Sequence, residues 1–264
     1  MSAPVHVADG PLHGGTANHG RVVKVGDTVQ RPRGPHTPAV HALLDHLARQ
    51  GFAEAPRVLG LSTRIETVGF IPGTAATEPV PDWALTDLAL RSVGALLRRY
   101  HEQVSGFDAR ALRWQRAVPS RWRGQLVTHN DLNPANVIFR GGRAVAMIDF
   151  DLAAPGSPAF DLAVTACFWA PLRDHTDIAD SRRGHVLDRY RILLDAYGAE
   201  SGLRAEVAEA TPSANRWIAD VIEEHAKLGH PAFGSLWEHA GGMHRRASRW
   251  LSAHTEELLT ASRQ

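Results

Sequence analysis

His129, Asp131 and Asn136, followed by Asp149-Phe150-Asp151, set carboxylates and an amide at a spacing that suits phosphoryl transfer. That reaction asks little covalent work of a protein. It needs a positioned acceptor oxygen, metal ions against the developing charge, and donors on the phosphates. A loop of pattern H-x-D-x-x-x-x-N followed by a D-F-G-type turn meets those needs. Asp131 then accepts or orients the proton of the attacking hydroxyl. Asn136 offers an amide oxygen, and Asp149 a carboxylate, to Mg²⁺ bridging nucleotide phosphates. His129 reads as a holder of the loop through hydrogen bonds. Taken alone, Asp131-Leu132-Asn133-Pro134 also reads as a plain turn.

The flanking segments decide in favour of a site. Leu126 to Thr128 predicts a short strand into the loop. Asn136 to Phe139 and Ala144 to Ile148 predict two strands joined by Arg140-Gly141-Gly142-Arg143. Pairing of those strands brings Asn136 and Asp149 together. Upstream, Arg21 to Val25 and Thr28 to Arg31 predict another hairpin around Gly26-Asp27. A helix is expected after Thr37 as cap and Pro38 in the first turn, with Val40, Leu43, Leu44 and Leu47 on one face and Gly51 at its end. Val58-Leu59 and Thr67 to Ile71 read as strands, and Pro72-Gly73 as a break. Leu85 to Tyr100 carries the period of one long amphipathic helix, and from Ala159 onward the pattern is helical. Residues 1–72 are therefore expected as a small β-rich lobe, and 73–264 as a larger, mainly helical one.

The 264 residues carry a formal net charge of +1, with 44% hydrophobic and 22% charged residues, as in an ordinary globular protein. Nothing there argues for a nucleic acid or membrane partner. A lone cysteine, Cys167, sits among apolar neighbours and excludes an internal disulfide, so a reducing cytoplasm and an inert thiol are expected. No signal peptide or membrane-span pattern is legible. The 15 histidines include no HExxH motif and no Cys/His ligand cluster.

The run Thr128-His129-Asn130-Asp131-Leu132-Asn133-Pro134-Ala135-Asn136-Val137-Ile138-Phe139 resembles the signature of the aminoglycoside phosphotransferase and choline kinase-like superfamily. Ala146 to Ala153 and Gly156 to Ala163 continue the resemblance. It implies an α+β, bilobal protein-kinase-like fold, ATP or GTP with Mg²⁺, Asp131 as base, and Asn136 and Asp149 as metal ligands. It implies Asp161 as a buried acid supporting the catalytic loop, although the residues alone read equally as a helix cap. Gly14 and Gly15 would cover the phosphates, and Gly69, Phe70 and Ile71 would form the adenine-binding hinge. Departures accompany the match. Relatives pair a strand lysine with a helix glutamate. Here Arg31 is the favoured phosphate clamp, Lys24 the other candidate, and His41 stands where glutamate is common. Asn130 replaces the usual glycine, and Asp151 the third-position glycine of protein kinases, as a second metal group or a turn residue.

Only 12 positions separate Asp149 from Asp161, no A-P-E follows, and the arginine of H-R-D is absent. A small-molecule hydroxyl acceptor is thus expected rather than a protein, an aminoglycoside or other antibiotic being the first choice from the resemblance. Asp220, Glu223, Glu224 and Glu238 are candidate contacts to a cationic acceptor, or else a solvated helix face. Trp169, Trp217 and Trp237 are candidate pocket walls, with core packing the default. The alternative is a non-catalytic nucleotide-binding module, motivated by the missing lysine–glutamate pair.

Overall fold

The computed structural model describes residues 9–12 and 21–261, so the expectation for Gly14 and Gly15 lies outside the described residues. Among the described residues ten strands, β1 to β10, lie at Gly10–Pro11, Val23–Val25, Thr28–Pro32, Val58–Leu61, Ile65–Gly69, Thr74–Ala75, Leu126–Thr128, Val137–Arg140, Arg143–Met147 and Ala154–Gly156. Seven α-helices, α1 to α7, lie at Thr37–Arg49, Asp87–Gln103, Pro158–Trp169, Val186–Tyr197, Ser201–Lys227, Pro231–Ala253 and Thr255–Ala261. The first five strands form one antiparallel sheet in the order β1-β2-β3-β5-β4. From α2 onward the chain is mainly helical, interrupted by the β8–β9 hairpin, which β6 joins from before α2, and by the β7–β10 pair. This is the expected α+β architecture, a β-rich part followed by a larger helical one.

Local differences have physical causes. Helix α1 begins at Thr37 itself; the Thr37 hydroxyl accepts from the Gly34 amide, so His36 takes the cap position without a side-chain bond. Gly51 does follow the helix at φ +82°, where a side chain would be strained. Strand β5 ends at Gly69, because the Gly69 and Phe70 amides turn to the carbonyls of Arg57 and Asp27. Helix α2 starts at Asp87, two residues later than expected, where the Thr86 hydroxyl caps the Ala89 amide. Leu85 precedes it as the C-cap of a short 3-10 turn at Asp82–Ala84.

The core runs between α2, α3, α4 and α5, with Tyr100, Phe160, Trp169 and Tyr190 fully buried. Two of these side chains also hold β7 and the loop after it. The Tyr100 hydroxyl donates to the Val127 carbonyl (2.8 Å), and the Trp169 indole to the Leu132 carbonyl (2.7 Å). Trp169 is therefore part of the core. No helix among the described residues is long and apolar enough to cross a membrane.

Candidate active site

The loop from His129 to Asn136 is anchored at both ends by sheet pairing. Strand β7 delivers the chain into it, and Ala154 of β10 pairs Thr128 in register. Strand β8 leaves it, and a two-residue turn at Gly141 and Gly142, both at positive φ, returns the chain as β9. The register sets Val137 opposite Met147, and the Ile148 amide donates to the Asn136 carbonyl (2.9 Å). Asp149 follows at φ 62°, a left-handed conformation that turns its carboxylate toward the loop's residues. Gly156 packs so close to Thr128 that a Cβ there would lie 2.4 Å from its hydroxyl.

A buried carboxylate organises the loop from beneath. Asp161 is completely buried and accepts from the amides of His129 and Asn130, both at 2.8 Å, and from His101 Nε2 at 2.9 Å. Burial acts to raise its pKa; the bonds from His101 and the Asn130 amide and the nearby His129 outweigh that and lower it. The cap of α3 is Ser157, which accepts from the Phe160 amide, so Asp161 does not serve as a cap. His129 donates from Nε2 to the Ile148 carbonyl (3.0 Å) and accepts at Nδ1 from the Asp131 amide (3.2 Å). Burial lowers its pKa, which suits this neutral tautomer.

Asn130 has φ 61°, a left-handed conformation that asparagine tolerates better than most side chains. Its side chain donates to the carbonyls of Thr128 and Leu152 and accepts from the Thr128 hydroxyl. These bonds stabilise a conformation that a β-branched residue would resist.

Asp131, Asn136, Asp149 and Asp151 line one cavity of about 320 Å³. Asn133 donates to one oxygen of Asp131 (2.9 Å) and Asn136 to the other (2.8 Å). Burial, with Asp149 nearby, pushes the Asp131 carboxyl up to about 8. The Asn136 amide nitrogen is spent on Asp131, which leaves its amide oxygen for a cation. Burial and Asp151 raise Asp149 to about 6, against the opposing pull of Arg31.

Among the described residues no group of three or more His, Cys, Asp or Glu side chains could hold a metal ion unaided. One amide oxygen and one or two carboxylates nevertheless fit Mg²⁺, which keeps waters and is completed by substrate phosphates. Asn136 and Asp149 would hold it, with Asp151 adjacent.

Arg31 sits at the centre of the charge arrangement. Its Nε pairs Glu66 Oε1 (2.8 Å), Nη1 pairs Asp149 Oδ1 (2.9 Å), and Nη2 pairs Asp151 Oδ1 (2.7 Å). His36 lies 3.4 Å from the same Asp151 oxygen. Burial acts to raise the pKa of Asp151, and Arg31 and His36 outweigh it and bring the carboxyl below its ordinary value. Lys24 is engaged elsewhere, with Asp9 (3.2 Å) and over the Phe70 ring.

Glu66 is the residue that sequence reasoning missed. Helix α1 supplies no glutamate, but β5 does: Glu66 stands directly opposite Arg31 in the β3–β5 register. His41 of α1 donates to its second oxygen (2.6 Å). Glu66 lies one residue before the strand expected at Thr67 to Ile71; β5 in fact begins at Ile65, and only its register with β3 sets Glu66 opposite Arg31. Of the hinge residues, Gly69 and Phe70 already spend their amides on backbone carbonyls, and the Ile71 amide has no such bond among the described residues. The four acidic residues proposed for a cationic acceptor do not line the cavity. Glu224 pairs with Arg116, and Glu223 with Lys227. Trp217 does line it. Burial pushes the Cys167 thiol up to about 12, so it is unreactive at neutral pH.

The profile of the "Phosphotransferase enzyme family" matches residues 102–205, which contain this loop and turn. The trifolitoxin immunity protein of Rhizobium leguminosarum bv. trifolii is 34% identical over 259 residues, covering 91% of this chain and 94% of that protein. A choline/ethanolamine kinase family protein from Mesorhizobium loti has a similar fold, with TM-score 0.64 at 16% identity over 97% of this chain and 92% of the other. The gentamicin–APH(2'')-IIa complex gives 0.56 at 13% identity over 96% and 93%. The chain therefore belongs to the phosphotransferase enzyme family, with a protein-kinase-like fold, and is a phosphotransferase that acts on a hydroxyl group.

Proposed function

We propose that this protein transfers the γ-phosphoryl group of ATP or GTP to a hydroxyl of a small molecule. The carrying observation is the convergence of Asp131, Asn136 and Asp149 on one cavity. Asp131 receives or orients the hydroxyl proton, and its raised pKa of about 8 suits proton acceptance near neutral pH. Mg²⁺, when bound by Asn136 and Asp149, supplies charge neutralisation on the phosphates. Arg31, steadied by Glu66, would meet a phosphate by exchanging its bonds to Asp149 and Asp151. Residues 1–72 would carry the nucleotide, through Gly14, Gly15 and the Gly69–Ile71 hinge, and residues 73–264 the catalytic loop and the acceptor. The need for a nucleoside triphosphate favours the cytoplasm.

The alternative of a non-catalytic nucleotide module is motivated by the missing lysine–glutamate pair. The Arg31–Glu66 pair supports the active reading instead. The 34%-identical relative is an immunity protein, which supports a toxin or antibiotic as acceptor, with aminoglycosides one class to include. Incubation with γ-labelled ATP or GTP, Mg²⁺ and a panel of hydroxyl-bearing compounds tests the proposal. Label should move to a compound with the native protein and not with Asp131→Ala. Transfer that survives this substitution, or no transfer to any compound, would sink it.

A further inference from the structure

We propose that the acceptor cavity is built for a hydroxyl compound with a broad apolar face and at most one cationic group, rather than for a polycation. The inference rests on the phosphotransferase reading and names the acceptor class for that site. Helix α5 presents Trp217, Ile218, Val221 and Ile222 to the cavity, at the spacing of one helical face, and α6 adds Phe233 and Leu236. This wall belongs to the same cavity as Asp131. Its shape is fixed in advance. The Trp217 indole donates to the Ala117 carbonyl (3.3 Å), Phe160 meets its ring edge-on at 5.8 Å, and the Arg116 guanidinium lies over it at 5.8 Å. His225, also lining the cavity, stacks on Phe233 at 4.5 Å.

The charge census points the same way. Outside Asp131, Asp149 and Asp151, Glu78 is the single carboxylate lining the cavity among the described residues. Asp149 and Asp151 are already bound by Arg31. The acidic residues of α5 are turned elsewhere, Glu224 to Arg116 and Glu223 to Lys227. A compound with several ammonium groups would have to desolvate them against aromatic and aliphatic carbon, with Glu78 the one lining carboxylate in reach beyond the acids of the transfer site, which is unfavourable. An apolar face gains from the same contact.

Calorimetry on the full chain with a non-hydrolysable ATP analogue and Mg²⁺ reads this directly. The probes are D-glucose, n-hexyl and n-octyl β-D-glucoside below their micelle-forming concentrations, and kanamycin as the polycation. Affinity should rise along the alkyl series, roughly tenfold from hexyl to octyl if both added methylenes are buried. Ile222→Asp and Leu236→Asp, at half-buried and exposed positions, should flatten that rise with the thermal midpoint retained and should improve kanamycin binding. A flat series in the native protein, or kanamycin binding tighter than octyl glucoside, overturns the inference. Absence of phosphate transfer to a compound that binds would count against the phosphotransferase reading instead, since the binding series needs no turnover.

Discussion

Arg31 and Glu66 face each other across β3 and β5, with Arg31 Nε 2.8 Å from Glu66 Oε1, and the same guanidinium reaches both acids of the Asp149-Phe150-Asp151 turn. A strand therefore supplies the carboxylate expected from a helix. His41 of α1 holds the other oxygen of Glu66, so the helix is still coupled to the clamp, through an imidazole.

Glu66→Gln should weaken nucleotide binding and lower stability together. It removes the buried charge that fixes Arg31 Nε and leaves His41 with a poorer acceptor. Breaking a buried pair on one side typically costs about 3 kcal/mol. Urea unfolding reads the stability, and nucleotide KM the clamp. A variant with native stability and native KM would show that the pair is idle.

Asp131→Asn should nearly abolish transfer while stabilising the metal-free protein at pH 8. A positioned base is worth roughly 10²–10⁴ in rate. The folded-state pKa of Asp131, about 8, lies above its ordinary value of 3.8, so the folded state binds the proton more tightly. That contribution is fully present below about pH 4 and is lost as pH rises to 8. The variant should remove this part of the slope. Unfolding free energies at pH 5 and pH 8, measured without Mg²⁺, check it; a slope unchanged by the substitution refutes the assignment.

Asp161→Ala should cost stability and turnover without touching the nucleotide. It strips the acceptor from the His129 and Asn130 amides and from His101. Loss of one partner from such a buried network typically costs about 3–5 kcal/mol. Amide exchange at residues 129–131 should accelerate while nucleotide affinity stays near native. Unchanged exchange there would contradict the role.

Asn130→Gly should be tolerated far better than Asn130→Val. Glycine adopts φ 61° freely and loses only the side-chain bonds, whereas a β-branched residue meets the left-handed penalty, about 1–2 kcal/mol, as well. Thermal midpoints of the two variants give the comparison. Equal losses would place the whole cost in the side-chain bonds.

The sequence by itself determined the local chemistry. The spacing from Asp131 through Asn136 to Asp149 contains a hairpin whose pairing brings its ends together, and Gly141-Gly142 supplies the two positive φ values that turn needs. The period of α2 and the largely helical pattern after Ala159 made the α+β plan legible for the same reason: such signals are carried by neighbours along the chain. Only the tertiary structure decided what distant residues do for one another. Glu66 became the partner of Arg31 through the β3–β5 register, and Asp161 the anchor of the loop through the packing of α3 beneath β7. The acidic residues of α5 left the acceptor cavity to its apolar face because helix rotation and the Arg116 and Lys227 pairs turn them away. Register, rotation and pairing are set by contacts between segments far apart in sequence, and a pattern of residue types does not carry them.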